Sequence, residues 1–104
     1  MKLLTKELLK RFEKIGSQED KGDEATVIAK FFTPDANWTW LATEAENHGD
    51  DVMFFGLVQG LETEWGYFTL SQLQSARGAL GLPVERDLHI SKDAKVSDFM
   101  RERV

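Results

Sequence analysis

Polar residues with possible chemistry are concentrated near the end of the chain. Because side chains alternate along a strand, Glu85, Asp87 and His89 would share one face and Arg86 would lie on the other. A carboxylate beside an imidazole could transfer protons. With Arg77, these residues form a polar cluster that is either structural or the site of an enzyme or small-ligand-binding protein. We favour a structural ion pair of Arg86 or Arg77 with a neighbouring carboxylate, since the segment adjoins a buried strand and its charges need partners.

Recognised catalytic patterns are absent from the sequence. The chain has two histidines, His48 and His89, and no cysteine, so disulfides and thiolate metal sites are excluded. It contains no Ser-His-Asp arrangement, HExxH motif or phosphate loop. His48 beside Asp50 and Asp51 could bind a divalent cation loosely, but an exposed loop is the preferred interpretation. We therefore expect a protein that is not an enzyme and has no metal or cofactor.

Acidic residues are concentrated in the middle of the chain. The net charge is −5, and residues 31–76 contain no Lys or Arg. A surface of this kind repels nucleic acid and attracts basic proteins. For the charge pattern taken alone, we favour the interpretation that acidic loops only keep an apolar sheet soluble and unpaired at its edges.

Two tryptophans extend the acidic segment into a candidate binding surface. Trp38 and Trp40 would share one strand face next to Glu44 and Glu46, and such a patch could anchor in a basic protein groove. Core packing is the favoured interpretation for Phe54, Phe55 and Tyr67, and it is the alternative for the two tryptophans. The candidate partner-binding residues are Asp35, Trp38, Trp40, Glu44, Glu46, Asp50, Asp51, Glu62 and Glu64.

The composition fits one globular domain. The chain has 104 residues, of which 41% are hydrophobic and 30% charged, so residues 1–104 are expected to share a single core. No signal peptide or membrane-spanning run is present, and we expect a cytoplasmic protein. Residues 91–104 are charged and weakly helical and are expected to form a flexible tail.

A β-hairpin is the predicted centre of the fold. Apolar runs at 37–46 and 52–61 flank a polar tip with a glycine at its centre. Further strands are predicted at 25–32, 65–68 and 84–90, the last of which could pair with either edge.

Helices are predicted on both sides of these strands in sequence. Thr5 can cap a helix that runs to about Ile15, and Thr69 with Gln72 forms a capping box for a second, short helix near residues 70–77. The polar segment 16–24 has no apolar anchor and is expected to be a mobile loop. The sequence thus predicts an α+β fold, with an antiparallel meander of four to five strands, an N-terminal helix and a second short helix.

Three segments carry a family resemblance: FFTPDANWTWLATE, MFFGLVQGLETEWGYFTL and RGALGLPVERDLHI. In this order they resemble a family of short bacterial proteins classed as a domain of unknown function, over roughly residues 1–90. Its members are typically encoded on plasmids, conjugative elements and phages. The resemblance implies an accessory role in a mobile element, where small acidic proteins often act against host defence, including by inhibiting CRISPR nucleases. It implies no reaction.

These observations lead to one principal hypothesis about function. The chain is expected to be a non-catalytic protein-binding module that occupies a basic surface on a defence nuclease or another nucleic-acid-handling protein. It is not expected to bind nucleic acid directly or to contact a membrane. The polar cluster provides the alternative, and a homodimer formed through uncovered sheet faces is compatible with both.

Overall fold

One antiparallel sheet with helices on both faces forms the protein, according to a computed structural model that describes residues 1–100. The strands are β1 Ala29–Phe32, β2 Thr39–Asn47, β3 Val52–Gln59, β4 Thr63–Thr69 and β5 Glu85–Arg86. The helices are α1 Lys6–Ile15, α2 Leu70–Ser75 and α3 Val96–Met100, with a short 3-10 turn at Gly22–Glu24. The predicted α+β class is confirmed. Within residues 1–100 no helix is long and apolar enough to cross a membrane.

The strand order is β4-β3-β2-β1-β5, so the predicted meander is extended by one strand on the β1 side. Phe31 pairs with Arg86 and Phe32 with Glu85, which assigns the last strand to the β1 edge. The strand predicted at 84–90 is much shorter than expected. Directly after β5, the Asp87 amide donates one further hydrogen bond to the Lys30 carbonyl of β1, at 2.9 Å, before the chain leaves the sheet.

Helices α1 and α2 both begin with the predicted N-cap residues. The Leu8 amide donates to Thr5 Oγ1 at 3.2 Å, and Gly16 ends α1 with a φ of 68°, which favours glycine. At α2 the Gln72 amide donates to Thr69 Oγ1 while the Thr69 amide donates to Gln72 Oε1. This reciprocal pair is the predicted capping box.

The first face of the sheet carries the larger core. Phe54 lies at its centre, with ring centroids 5.8 Å from Phe12, 5.5 Å from Phe31 and 5.4 Å from Phe68. The apolar stripe of α1 and the inner residues of α2 cover this face. These four phenylalanine rings pack together as the aromatic centre of the larger core.

A β-bulge at Thr43 divides β2 into two halves. Ala42 pairs with Gly56 and Glu44 pairs with Phe55, so Thr43 is an extra residue, and its hydroxyl donates to the Phe55 carbonyl at 3.2 Å. Strict alternation would turn Glu44 and Glu46 toward the first core. The extra residue instead turns both carboxylates to the second face.

The second face carries a smaller core beneath α3. Its buried members are Ala25, Val27, Leu41, Leu57 and Val96. The Val27 amide donates to the Ala94 carbonyl at 2.9 Å, and the Val96 amide donates to the Ala25 carbonyl at 3.0 Å. In the predicted flexible tail 91–104, Ala94 and Val96 are therefore buried and bonded to the segment before β1, and residues 101–104 lie outside the described part of the chain.

A buried glutamine anchors the segment 16–24, in which the sequence indicated no anchor. Gln18 is 3% exposed, and its Nε2 donates to the carbonyls of Thr26 at 3.0 Å and Thr43 at 2.7 Å. Its Oε1 accepts from the Thr26 amide at 2.7 Å, and its own amide donates to Glu44 Oε2 at 3.1 Å. The anchor is polar, and it fastens the segment to the bulge in β2.

Candidate functional site

Asp35, a predicted partner-binding residue, fastens a loop within the protein. Its Oδ2 accepts from the amides of Leu80 at 2.6 Å and Leu82 at 3.1 Å. A Cβ at Gly78 would lie 1.6 Å from Asp35 Oδ1, so the carboxylate fills the space that only glycine leaves open. Oδ2 is therefore occupied within the protein, while Oδ1 is buried with no hydrogen-bond partner in residues 1–100. The loop that Asp35 holds presents Leu80 to solvent, which the sequence did not indicate.

Asp51 ties the hairpin tip to the start of α2. Its Oδ1 accepts from the amides of Val52 at 2.8 Å and Ser71 at 3.1 Å, and its Oδ2 accepts from the Ser71 hydroxyl at 2.6 Å. The hydrogen bond from the Ser71 hydroxyl is the main cause that lowers the pKa of Asp51 below its ordinary value. The carboxylate acts as a structural link.

Asp51→Asn is expected to lower the melting temperature at neutral pH. A depressed pKa in the folded state means that the carboxylate stabilises the fold above its unfolded-state pKa, and that this contribution disappears as the pH falls through the folded-state value. Thermal unfolding of both proteins from neutral pH down to about pH 2 should show the difference in melting temperature closing. Asp50→Asn, at an exposed neighbour, is the control and should change little. A difference in melting temperature that stays the same at every pH would contradict a stabilising role of the ionised Asp51 carboxylate.

The remaining hairpin-tip residues are exposed. His48 Nε2 lies 3.3 Å from Glu46 Oε1, and both side chains are largely open to solvent. Since Asp51 is occupied by backbone and hydroxyl donors, it does not join His48 and Asp50 in a cation site. Among residues 1–100 there is no group of three or more His, Cys, Asp or Glu that could hold a metal ion.

The two tryptophans lie away from the carboxylates predicted to accompany them. Trp38 stacks on Trp40 with centroids 5.8 Å apart, and Trp40 packs against the first core. The bulge sends Glu44 and Glu46 to the opposite face, so the predicted single patch is divided by the sheet. Glu62 and Glu64, near Trp38, border a separate shallow depression at the β3–β4 turn.

A different aromatic group accompanies the carboxylates on the second face. Phe55 lies 5.8 Å from Trp65 and 5.0 Å from Tyr67 between ring centroids. Tyr67 is 73% exposed and Trp65 is 39% exposed. Glu44 pairs with Phe55 across the strands. We call Glu44, Glu46, Phe55, Trp65 and Tyr67 the aromatic-acidic face.

In the part of the chain that the structure describes, the aromatic-acidic face lies outside the smaller core that α3 covers. The smaller core lies under α3 around Leu41 and Leu57. Beyond it, Tyr67 and Glu46 line an open depression together with Glu13 on α1. An exposed aromatic row beside carboxylates offers both a stacking surface and negative charge.

The polar cluster is dispersed by the fold. Arg77 Nη1 donates to the carbonyls of Gln74 at 2.9 Å and Ala76 at 2.7 Å, while Arg86 Nη1 donates to the Leu3 carbonyl at 3.3 Å. Both arginines therefore satisfy backbone carbonyls near helix or chain ends. Within residues 1–100 neither forms the expected ion pair with a carboxylate.

The acidic members of the cluster have other partners. Lys30 Nζ lies 3.5 Å from Asp87 Oδ2, and the His89 amide donates to Asp87 Oδ1 at 2.8 Å. Glu85 pairs in the sheet with Phe32. These contacts hold the chain after β5, and they do not bring the five predicted residues into one enzyme or ligand site.

One known protein family matches nearly the whole length of the chain. Residues 3–103 match the model of DUF2958, whose description is a protein of unknown function. The chain belongs to the DUF2958 family. The match confirms the resemblance to a domain of unknown function and extends it beyond residue 90. No curated protein and no solved structure matches the chain.

The aromatic-acidic face is the feature of this DUF2958 domain that sequence reasoning located only in part. Glu44 and Glu46 were predicted, but Trp65 was not assigned a role and Tyr67 was assigned to core packing. The sequence did contain a signal for these two residues. Trp65 and Tyr67 are two positions apart, so they share one face of a strand, and their segment contains no Lys or Arg. The bulge, which places Glu44 beside Phe55, has no comparable signal in the sequence.

Proposed function

We propose that this DUF2958 protein is a non-catalytic binding module that occupies a basic surface of a partner protein through its aromatic-acidic face. The observation that carries the proposal is the row formed by Phe55, Trp65 and Tyr67, left uncovered beside two carboxylates. Contiguous exposed aromatic surface is typical of interaction sites.

Charge defines the class of partner. No Lys or Arg occurs in residues 31–76, so the carboxylates around the face are not neutralised by neighbours along the strands. A lysine or arginine of a partner would gain charge pairing with Glu46 and a stacking position over Tyr67 or Trp65. Such a surface favours fast, salt-dependent association with a positively charged protein.

A nucleic-acid-handling enzyme is the partner we propose, because its substrate channel must be positively charged. The resemblance to proteins of plasmids, conjugative elements and phages directs the proposal to a host defence nuclease, such as a CRISPR nuclease, in the cytoplasm. In this role the protein would be an acidic inhibitor, competing with nucleic acid for the same channel.

Neutralising the accessible carboxylates tests the proposal. In one triple variant, Glu46→Gln removes the exposed charge of the aromatic-acidic face, and Glu62→Gln with Glu64→Gln removes two exposed charges beside it, before and within β4. Within residues 1–100 none of these three carboxylates accepts a hydrogen bond from the backbone. Tagged protein is incubated with lysate of a bacterial host that carries a CRISPR system. Retained proteins are identified by mass spectrometry after washes at about 0.1 M and about 0.5 M salt.

The expected result is a basic nuclease retained at low salt and lost at high salt. The triple variant and Tyr67→Ala should each reduce its retention by about tenfold. The matched control neutralises three exposed acids of the 16–24 segment, Glu19, Asp20 and Asp23, and should retain the nuclease fully. Equal losses with the two triple variants, or retention that ignores salt, would count against the proposal.

A further inference from the structure

The outer edge of β4 is open from Thr63 to Phe68, and the amide of its last residue, Thr69, is occupied by the capping box of α2. The sheet order puts β4 at one end, and within residues 1–100 it pairs only with β3, from Thr63 to Thr69. The backbone groups on its other side make no hydrogen bond to another strand of this part of the chain. An edge of this kind is a template for an additional strand.

The two edges of the sheet differ in their protection. The edge at β5 consists of two residues, Glu85–Arg86, which is too short to guide strand pairing. β4 has seven residues, TEWGYFT, and lacks the lysine, proline and bulge that often block exposed edges. Its one charged residue, Glu64, is acidic and opposes pairing with another acidic strand but not with a basic one. Only β4 therefore has the form of a strand-accepting edge.

The side chains of β4 indicate what an added strand would carry. Trp65 and Tyr67 project on the second face, and Glu64, in register with Val58 and Trp40, projects on the first. Glu62 lies just before the strand and is also exposed. An added strand would place its side chains alternately beside the aromatic rings and beside a carboxylate, and positive residues suit both positions.

We propose that β4 accepts an extended, lysine- or arginine-rich segment of the partner protein as a sixth strand of the sheet. This inference rests on the proposed function and specifies how the partner is held. Backbone hydrogen bonds to β4 would supply direction and register, and the aromatic-acidic face would select cationic side chains.

Charge distinguishes this occupant from a second copy of the chain. A second β4 paired antiparallel over the same seven residues would place Glu64 of each copy opposite Phe68 of the other. Residues 31–76 supply no lysine or arginine, so neither carboxylate would gain a cationic partner. A basic strand at the same edge supplies this opposite charge.

The test uses a fluorescent peptide of about eight residues in which lysine and valine alternate. A second peptide has the same sequence with every backbone amide N-methylated, which keeps the charge and side chains but prevents strand pairing. Affinities are measured by fluorescence anisotropy with the full chain. Amide hydrogen exchange of residues 63–69 is followed with and without the peptide.

Binding of the unmethylated peptide at least about tenfold more tightly than the methylated one, with new protection of β4 amides, would support strand addition. Tyr67→Lys, which places a cation on the edge strand, should abolish this preference, whereas Glu19→Lys should preserve it. Equal binding of both peptides would overturn the inference but leave the charge-based proposal standing. Absence of binding by either peptide would also overturn it, as would a sedimentation mass of about twice the monomer, because the edge would then accept a second copy.

Discussion

Gly56→Ala is expected to lower the free energy of unfolding by about 3 kcal/mol. Gly56 lies in β3, between β2 and β4, and is buried. A Cβ at this position would come within 1.8 Å of the Leu41 carbonyl oxygen and 2.8 Å of the Leu41 carbonyl carbon. Both atoms belong to the backbone of β2, so the clash can be relieved only by separating two central strands.

Gly66 provides a matched control for this substitution. It lies directly opposite Gly56 in the pairing of β3 with β4, and a Cβ there meets nothing within 4 Å. Gly66→Ala should leave stability unchanged or raise it by a few tenths to about 1 kcal/mol, since alanine restricts the unfolded chain. Urea unfolding of the three proteins measures the difference. Equal stability of the two variants would show that the sheet absorbs the added methyl group.

Gln18→Ala is expected to lower the free energy of unfolding by about 3 kcal/mol. The substitution removes three side-chain hydrogen bonds and leaves the carbonyls of Thr26 and Thr43 without their donor. Buried acceptors without partners cost about 1–3 kcal/mol each. The 16–24 segment and the bulge in β2 would lose their connection together.

Gln18→Glu separates hydrogen bonding from side-chain size. Glutamate keeps the acceptor for the Thr26 amide but turns a carboxylate oxygen toward two carbonyls. It should therefore destabilise the protein at neutral pH, and the loss should decrease at acidic pH, where the protonated carboxyl can donate. Glu19→Ala, at an exposed neighbour, is the control. The free energy of unfolding of each variant is measured in urea. If Gln18→Ala and Glu19→Ala were equally stable, solvent would be replacing the side-chain amide of Gln18, which would contradict the prediction.

Local sequence signals predicted the elements of the fold well. Thr5 and the Thr69–Gln72 pair mark helix starts, because their side chains can satisfy only nearby backbone donors. The hairpin follows from two apolar runs around a polar tip. These signals depend on neighbouring residues in the chain, and they do not require knowledge of the tertiary structure.

The site was harder to predict because it depends on contacts distant in sequence. The extra residue at Thr43 reverses the faces of Glu44 and Glu46, and nothing in the local sequence fixes its position. Gln18 resembles the other polar residues of its loop in sequence, although it is bonded to residues up to 26 positions away. Alternation without a bulge therefore paired the carboxylates with the wrong aromatic residues.

The bulge separates two kinds of position in β2. Before Thr43, β2 is held by both cores, through Leu41 on one side and Ala42 on the other. After it, Ala45 still packs against the first core and Glu44 holds the Gln18 amide, whereas Glu46 projects from the second face outside both cores. A substitution at Glu46 can therefore change the charge of the exposed surface while the packing of the sheet is retained. A single inserted residue thus gives the strand a position whose chemistry can vary without loss of folding stability.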